Sequence, residues 1–541
     1  MEETKIHYAK SIREQLNIRV ILLGALGSAI ISMSSVYVAL RLGALPWPTI
    51  FVAILSMALL KLLKNTNVNE INVAHTGMSA GSMVAGGLAF TLPGIWMIEK
   101  DASVSFWYVL AIAVSGVILG VVAVMLMREY FIERSNLPYP IGVAASDTVL
   151  SGDTGGIKAK YLFYSLGASA IFTALRDAFN KIPQAIISKT LYSKNFPLGF
   201  WLSPMAFGIG YIIGPIFMGV WFLGSILGNF ILVPAGVYLK WFSSVDNANL
   251  FRSILGIGMI VGGGVAILIK DILPKAKEIF GYSFKTAGKG LLRIIAIAVA
   301  LVLAVITFYL KLNIVISIIV ILGAWVSVSM ASYIDGATGI DPLEIFGIIV
   351  LLIARSVATL FSPLTTLMMF AVAGIVAVAS GLAGDNMQDF KAGQILKTDP
   401  KAQIISETVG GLVGAFTAAL ALFVLHSVYK EFGPGTQMPA PQAFAVAGMV
   451  KGLPFKEAFF IGLGAGVILA FFKFPSAIFG IGIYLPFIIT GTAFLGAVAR
   501  IIVKRFFPKF EEKGSLMSSG FLGGEGVTGV LIAIVRFVFR I

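Results

Sequence analysis

One pattern repeats along the whole sequence: apolar stretches long enough to cross a bilayer as helices, joined by short links rich in Gly, Pro, Lys and Arg. Candidate spans fall at 18–40, 48–64, 71–97, 104–127, 159–179, 200–217, 219–239 and 251–270. A second set falls at 291–310, 312–332, 343–358, 360–381, 403–428, 455–473, 475–499 and 516–537. A helix needs about 20 apolar residues to span the hydrocarbon, so sixteen of them take about 320 positions. That is more than half of the 541 residues, in a chain that is 58% hydrophobic and only 12% charged. A soluble protein uses roughly twice that share of charge to clothe its surface. The expected fold is all-α: a polytopic transmembrane helical bundle of about sixteen helices, within about 14 to 17 because several runs are short or interrupted. No room is left for a large catalytic domain outside the membrane.

The residue types that carry covalent and metal chemistry are scarce. The chain has no Cys and three His, at 7, 75 and 426. Disulfides, thiolate metal sites, iron–sulfur clusters and cysteine nucleophiles are therefore excluded. No HExxH, GxSxG or Walker A pattern occurs. The expectation is a protein that is not an enzyme and has neither cofactor nor metal site. The formal charge of +14 comes from Lys and Arg that punctuate the apolar runs. That is the pattern of loops beside anionic lipid, so lipid rather than nucleic acid is the implied partner. The N-terminal stretch lacks the plan of a cleaved leader, so the first apolar run is expected to stay in the protein. Basic residues at the N-terminus, at Lys61 and Lys64, at Arg128 and Arg134 and near 270–290 put the N-terminus in the cytoplasm of an inner-membrane protein. Arg500, Lys504, Arg505, Lys509 and Lys513 also belong inside, which leaves the side of the C-terminus open.

The polar stretch 271–290, with Lys275, Lys277, Lys285 and Lys289, reads as a cytoplasmic linker between two halves, 1–270 and 291–541, of about eight helices each. The halves resemble one another weakly. LPYPIGVAASDTV from Leu137 matches MPAPQAFAVAGMV from Met438, with paired prolines Pro138/Pro140 and Pro439/Pro441. SGVILGVVAVM from Ser115 matches VGGLVGAFTAA from Val409, and FGIGYIIGP from Phe207 matches FGIGIYLPF from Phe479. Shared Gly/Pro/Ala composition is the plain alternative. Duplicated halves are a hallmark of secondary transporters.

Three segments interrupt the apolar pattern. Two prolines two apart cannot sit inside a regular helix, since each lacks a donor and clashes backward. The segments 137–152 and 438–452 are thus expected to enter the membrane as short re-entrant or broken helices, buried in protein or facing water. The third is SGLAGDNMQDFKAGQILKTDPKAQ from Ser380, where Gly381 and Gly384 precede Asp385, Asn386, Gln388, Asp389 and Lys391. The glycines are read as a kink or a point of close approach. Asp385 and Asp389, four apart, share a face if the segment is helical. Charges so near an apolar run are costly unless they meet water, one another or a solute; a helix cap followed by a cytoplasmic loop is the plainer alternative.

GLAGDNMQDFKAG followed by VGGLVG, LPYPIGVAASDTV, PAPQAFAVAGMVKG, YLPF at Tyr484 and SGFLGGEGVTGV at Ser519 together resemble the oligopeptide transporter family, which includes the yellow-stripe-like metal-chelate transporters. The resemblance runs from about Arg19 to the end and looks closest to prokaryotic and yellow-stripe-like members, since the Asn-Pro-Gly signature of the eukaryotic peptide branch is absent. It implies a permease of roughly sixteen helices that imports small peptides or peptide-like metal chelates, generally with protons. A passive channel for a small polar solute is the competing class. Partners are then the solute, protons and membrane lipid, with a homodimer compatible.

Residue chemistry supplies the site expectations. Tyr139, Ser146, Asp147, Asp385, Asn386, Gln388, Asp389, Lys391 and Gln442 are candidates for the substrate path. Free amides at the helix starts near Tyr139/Pro140 and Pro441 could face a substrate carboxylate. His75, Asp147, Asp385, Glu407 and Glu525 are candidates for carrying the coupling proton. Arg176 and Asp177, adjacent and near a span end, read as interface residues, and Arg355, deeper in its run, needs a carboxylate or carbonyl partner. If 385–391 lines the path, Asp385→Asn and Gln388→Ala should each cut transport and leave stability nearly intact. If it only caps a helix, Asp385→Asn should be silent, because Asn caps about as well as Asp.

Overall fold

The computed structural model of the protein describes residues 8–43, 45, 49–63, 65–150, 155–275, 277–279, 281–282, 288–339, 341–451 and 455–540. His7, Lys64, Lys285, Gly452 and residues 151–154 of the first proline segment lie outside them. Each of the sixteen apolar runs coincides with helix. Among the described residues eleven helices are long and apolar enough to cross a membrane by length and composition. The others are shorter or broken: Gly214 and Pro215 separate Pro204–Ile213 from Pro215–Ile226, and Leu485 and Pro486 separate Ser476–Tyr484 from Phe487–Phe506. One feature departs from the all-α expectation. Ala185–Ile187 and Gly199–Trp201 pair as a small antiparallel hairpin, so the run expected at 200–217 opens in a strand and becomes helical at Pro204.

The chain forms two compact units, and these are not the two sequence halves. Residues 1–159, 274–450 and 536–541 make the larger, and 160–273 with 451–535 make the smaller. The chain does change unit inside the expected linker, at 273–274, but it also changes within each half.

In the larger unit, Ile18–Leu42, Val68–Ala89, Thr366–Ile395 and Pro400–Tyr429 form the interior. The most apolar window of Val68–Ile98 is 89% buried and that of Thr366–Ile395 83%, against 17% for Lys289–Tyr309, which lies on the outside of the unit. Backbones approach closely because small residues line the contact. A Cβ on Gly410 would strike the carbonyl of Gly77, and one on Gly414 would lie 2.5 Å from the Cα of Gly81. Ser28 Oγ donates to the Gly410 carbonyl and Ser406 Oγ to that of Val73, each at 2.7 Å. This is the small-xxx-small packing expected where hydrophobicity cannot drive helices together.

The two proline segments build matching structures on this frame. Tyr139, between Pro138 and Pro140, has φ +45°, and its N–H donates to the Gly336 carbonyl at 2.8 Å. Ala440, between Pro439 and Pro441, has φ +38°, and its N–H donates to the Leu40 carbonyl at 2.8 Å. The receiving helices, Ile314–Thr338 and Ile18–Leu42, are each 25 residues long, start at an Asn cap and end on a left-handed glycine, Gly339 or Gly43. After each turn comes an 11-residue helix, Pro140–Leu150 or Pro441–Lys451. At 1.5 Å per residue that is about 16 Å, half of a hydrocarbon core. Arg355 finds the carbonyl partners it needs at the end of the second one, donating to Met449 O at 2.6 Å and Val450 O at 3.1 Å. Its residue is exposed rather than deep in the unit.

Reciprocal glycine contacts also organise the smaller unit: Gly210 has no room for a Cβ against Ala493 O, nor Gly496 against Phe207 O. Overpacking such a contact costs about 1–3 kcal/mol. Gly410→Ala should therefore lower the thermal unfolding midpoint in detergent by several degrees. Gly464→Ala, where a Cβ meets nothing within 4 Å, should match or slightly exceed wild type, because Ala favours helix by about 1 kcal/mol. Equal midpoints for the two variants would contradict the packing account.

Candidate functional site

The helix Thr366–Ile395 runs unbroken for 30 residues, so Gly381 and Gly384 are not break points. Nor does the polar segment form a loop: Asp385, Asn386, Gln388 and Asp389 are each 1% exposed, inside the larger unit. Asp389 Oδ2 accepts from Ser79 Oγ at 2.7 Å, and its Oδ1 lies 3.5 Å from His75 Nδ1. Gln403 Nε2 donates to the Asp389 carbonyl at 2.7 Å and to Thr76 Oγ1 at 3.2 Å. Glu407, on the next helix, is 1% exposed and within electrostatic reach of Asp385 and Asp389.

Two further acids complete the group. Asp335 ends the helix Ile314–Thr338, and Asp341 follows it. Gly384 makes their approach possible: a Cβ there would lie 2.5 Å from Asp341 Oδ2 and 3.3 Å from Asp335 Cβ. Both carboxylate oxygens of Asp335 and of Asp341, Asp385 Oδ2, Asp389 Oδ1, Glu407 Oε1 and both amide atoms of Asn386 are buried without a hydrogen-bond partner among the described residues. Among the described residues none of these five acids has a Lys or Arg at ion-pair distance. Buried carboxylates without compensation are costly. Three His, Asp or Glu side chains placed to hold a metal ion do not occur among the described residues. The arrangement suits protons, water or a small solute cation.

Gln388 has another job. Its Nε2 donates to the Asp335 carbonyl at 2.7 Å, and its Oε1 accepts the Gly142 N–H at 2.8 Å. It clamps the first proline helix to the end of Ile314–Thr338 and occupies one of the amides expected to face a substrate.

A family profile described as OPT oligopeptide transporter protein matches residues 15–273 and 289–536. The chain belongs to the OPT oligopeptide transporter family. It is 26% identical to a "Putative oligopeptide transporter" of Haemophilus influenzae, over 92% of each chain. It is 23% identical to "Probable metal-nicotianamine transporter YSL6" of Arabidopsis thaliana, over 82% of this chain and 75% of the plant protein. A shorter match, 29% identical over 15% of this chain and 11% of the relative, is to "Probable metal-nicotianamine transporter YSL12" of Oryza sativa. Membership places the protein among membrane transporters, not enzymes, and agrees with the resemblance to prokaryotic and yellow-stripe-like members.

Within this OPT-family chain the other expected residues fall outside the acid cluster. Tyr139 is buried, its hydroxyl donating to Phe131 O at 3.0 Å. Ser146 bonds its own helix at Val143 O, and Asp147 is exposed. Lys391 is half-buried and donates to Gln394 Oε1 at 2.8 Å. Gln442 donates to Gly43 O at 2.9 Å, fastening the second proline helix. Sequence reading missed Asp335, Asp341 and the buried Glu344, because SYIDGATGIDPLE reads as a polar link between two runs. Two acids, one three positions after the end of one run and the other two positions before the start of the next, were the available signal.

Glu525 belongs to a separate group in the smaller unit. Arg176, fully buried, makes a bidentate pair with Asp177 at 2.8 and 2.6 Å and reaches Glu525 Oε1 at 2.8 Å. The pair sits in a π-helical turn over Ala174–Ala178 with both side chains buried, which overturns the reading of this pair as interface residues. Glu525 Oε2 accepts from Ser203 Oγ and the Met205 N–H, each at 2.9 Å. Each acid has a hydrogen-bonded partner, one Arg serving both, so the arrangement is that of a structural network. Removing one partner of a buried pair costs about 3–5 kcal/mol. Arg176→Leu should sharply lower the unfolding midpoint or folded yield, and a near-wild-type midpoint would show the network to be dispensable. Gln388→Ala should also lower the midpoint, by less, because it strands one buried donor and one acceptor at about 1–3 kcal/mol each. The sequence expectation of an intact fold therefore applies to Asp385→Asn and not to Gln388→Ala.

Proposed function

We propose that the protein is a secondary active transporter that imports small oligopeptides or peptide-like metal chelates and uses protons as the coupling ion. The observation that carries this reading is the cluster of Asp335, Asp341, Asp385, Asp389 and Glu407, buried without a Lys or Arg, at the seat of a broken helix in an OPT-family chain. Ionisable groups kept inside an apolar bundle at such cost mark ion or substrate pathways. His75 beside Asp389 adds a group that ordinarily titrates near neutral pH. The names of the relatives point to oligopeptides and to metal–nicotianamine complexes. A chelate that arrives with its metal already wrapped needs no protein ligands, which fits a chain without Cys.

The same reading takes the chain as two repeats, 1–270 and 291–541, joined by a cytoplasmic linker at 271–290, in a bundle of about sixteen helices. The matched 25-residue helices and proline turns support it. The two 11-residue helices then act as the moving parts of alternating access. The N-terminus is placed in the cytoplasm and the protein in the inner membrane by the basic residues flanking the first spans.

Uptake by purified protein in proteoliposomes tests the function. A panel of peptides and metal chelates should include one that accumulates against its gradient when the outside is acidic, and a protonophore should abolish that accumulation. Accumulation that ignores the proton gradient and follows sodium would refute the coupling, and equilibration without accumulation would favour the channel. Asp385→Asn should reduce uptake about tenfold or more, a loss of at least about 1.4 kcal/mol in transport efficiency, at unchanged thermal stability. Wild-type uptake by that variant would remove Asp385 from the site.

A further inference from the structure

We propose that Asp335, Asp341 and Asp385 form a proton-held latch on the first proline turn and that the second turn has no such latch. A proton shared among the three keeps Asp335–Gly339 and Asp341 seated on the helix Thr366–Ile395, and loss of that proton releases the turn at Tyr139. The inference deepens the coupling proposed above and rests on it for the role of the cluster.

The residues that hold the proline turn are flanked by the residues that carry the acids. The Asp335 carbonyl accepts from Gln388, which in turn accepts from the Gly142 N–H. The Gly336 carbonyl accepts the Tyr139 N–H. Gly336 packs on the Tyr139 ring and the Leu137 side chain, and Gly339 on Pro140 and Ile141. The side chains of Asp335 and Asp341 bracket this seat and press against Gly384, one residue before Asp385.

Every group facing the latch is an acid or is uncharged. Asp335 is within electrostatic reach of Asp385 and Asp389, and Asp341 of Asp335, Glu344 and Asp385. From the proline turn Tyr139 faces Asp335. Beyond Asp389 stand His75 on Val68–Ala89 and Glu407 on Pro400–Tyr429. Like charges in one buried site cannot all ionise. With a proton present, neighbouring carboxyls can share it and pack together; without it, repulsion acts directly across the contact at Gly384. On one side of that contact Gln388 holds Gly142 and on the other Gly336 holds Tyr139, so separation there breaks the Gln388–Asp335 bond and leaves the turn unable to keep both of its holds.

The second turn provides an internal control. Ala440 sits on Leu40 as Tyr139 sits on Gly336, and a glutamine of the proline helix itself, Gln442, holds the Gly43 carbonyl. Yet that seat, VYVALRLG over 36–43, carries one Arg and no acid. Two turns of one design therefore differ in proton sensitivity.

Hydrogen exchange on the full chain in lipid nanodiscs at pH 5 and pH 8, with labelling times scaled for intrinsic chemistry, reads both turns without any substrate. Segment 137–146 should exchange at least about tenfold faster at pH 8 and segment 438–447 about equally at both. Asp335→Asn and Asp341→Asn, uncharged at any pH, should each flatten the response of the first turn. If Asp335→Asn does not fold, Asp341→Asn and the contrast between the wild-type turns decide. Equal protection of the first turn at both pH values overturns the latch, as does a wild-type response in either Asn variant. Uptake in the same preparation separates the two proposals: proton-driven uptake with a pH-indifferent turn leaves the transporter and removes the latch. A pH-responsive turn without uptake of any tested solute keeps the latch and counts against the transporter.

Discussion

Backbone contact without intervening side chains underlies the chemistry of the larger unit. Lipid tails are as apolar as Leu, so burying Leu does not drive helices together in a membrane, whereas close van der Waals approach and interhelical hydrogen bonds do. Gly77 against Gly410, Gly81 against Gly414 and the hydroxyls of Ser28 and Ser406 supply both. That packing helps hold Thr366–Ile395 inside the unit although it carries Asp385 and Asp389 where no counter-charge waits. The stability needed to keep acids in an apolar interior comes from residues that never touch them. Gly384 extends the same principle to the site, since its missing side chain is the space into which Asp341 and Asp335 fit.

The two polar clusters show what separates structure from function inside a membrane protein. Around Arg176 one cation is shared between two acids and neutral donors complete the second, so each acid has a partner and the group is fixed in one arrangement. Around Asp385 the oxygens outnumber the donors, and no Lys or Arg pairs with any of the five acids among the described residues. A cluster of the first kind has nothing to exchange. One of the second kind changes its interactions whenever a proton or cation arrives or leaves. Counting acids in apolar runs does not distinguish them, because Glu525 and Glu407 both sit among glycines in the sequence.

Much of the frame was legible because bilayer thickness and proline chemistry act locally. Apolar runs located the helices, and paired prolines located two helices too short to span. The region around Asp385 was also marked, since few sequences place so many polar groups beside a glycine-rich apolar run. What remained hidden depends on contacts far apart in the chain. Gln388 resembles a solute ligand in sequence and becomes a clamp only when Gly142 arrives from 246 positions away. Asp335 and Asp341 looked like loop residues because the run before them was read as ending at 332, whereas its helix continues to Thr338. Arg176 and Asp177 looked like interface residues because neighbours do not share a helical face, yet the long guanidinium reaches the adjacent carboxylate and both side chains are buried.

The proline turns show how an apparent duplication can be conserved in geometry and divergent in chemistry. A residue at positive φ between two prolines has a fixed direction for its N–H, and a helix ending on a left-handed glycine has carbonyls exposed to receive it. Those requirements constrain only Pro, Gly and a short polar clamp, and both turns meet them. The remaining residues of each seat are free to differ, and they do: Tyr37 and Arg41 stand under one turn, Asp335 and Asp341 flank the other. A transporter needs its two sides to respond to different signals, since gates that opened together would make a leak. If the latch proposed above operates, similar turns on differently charged seats meet that need without altering the fold.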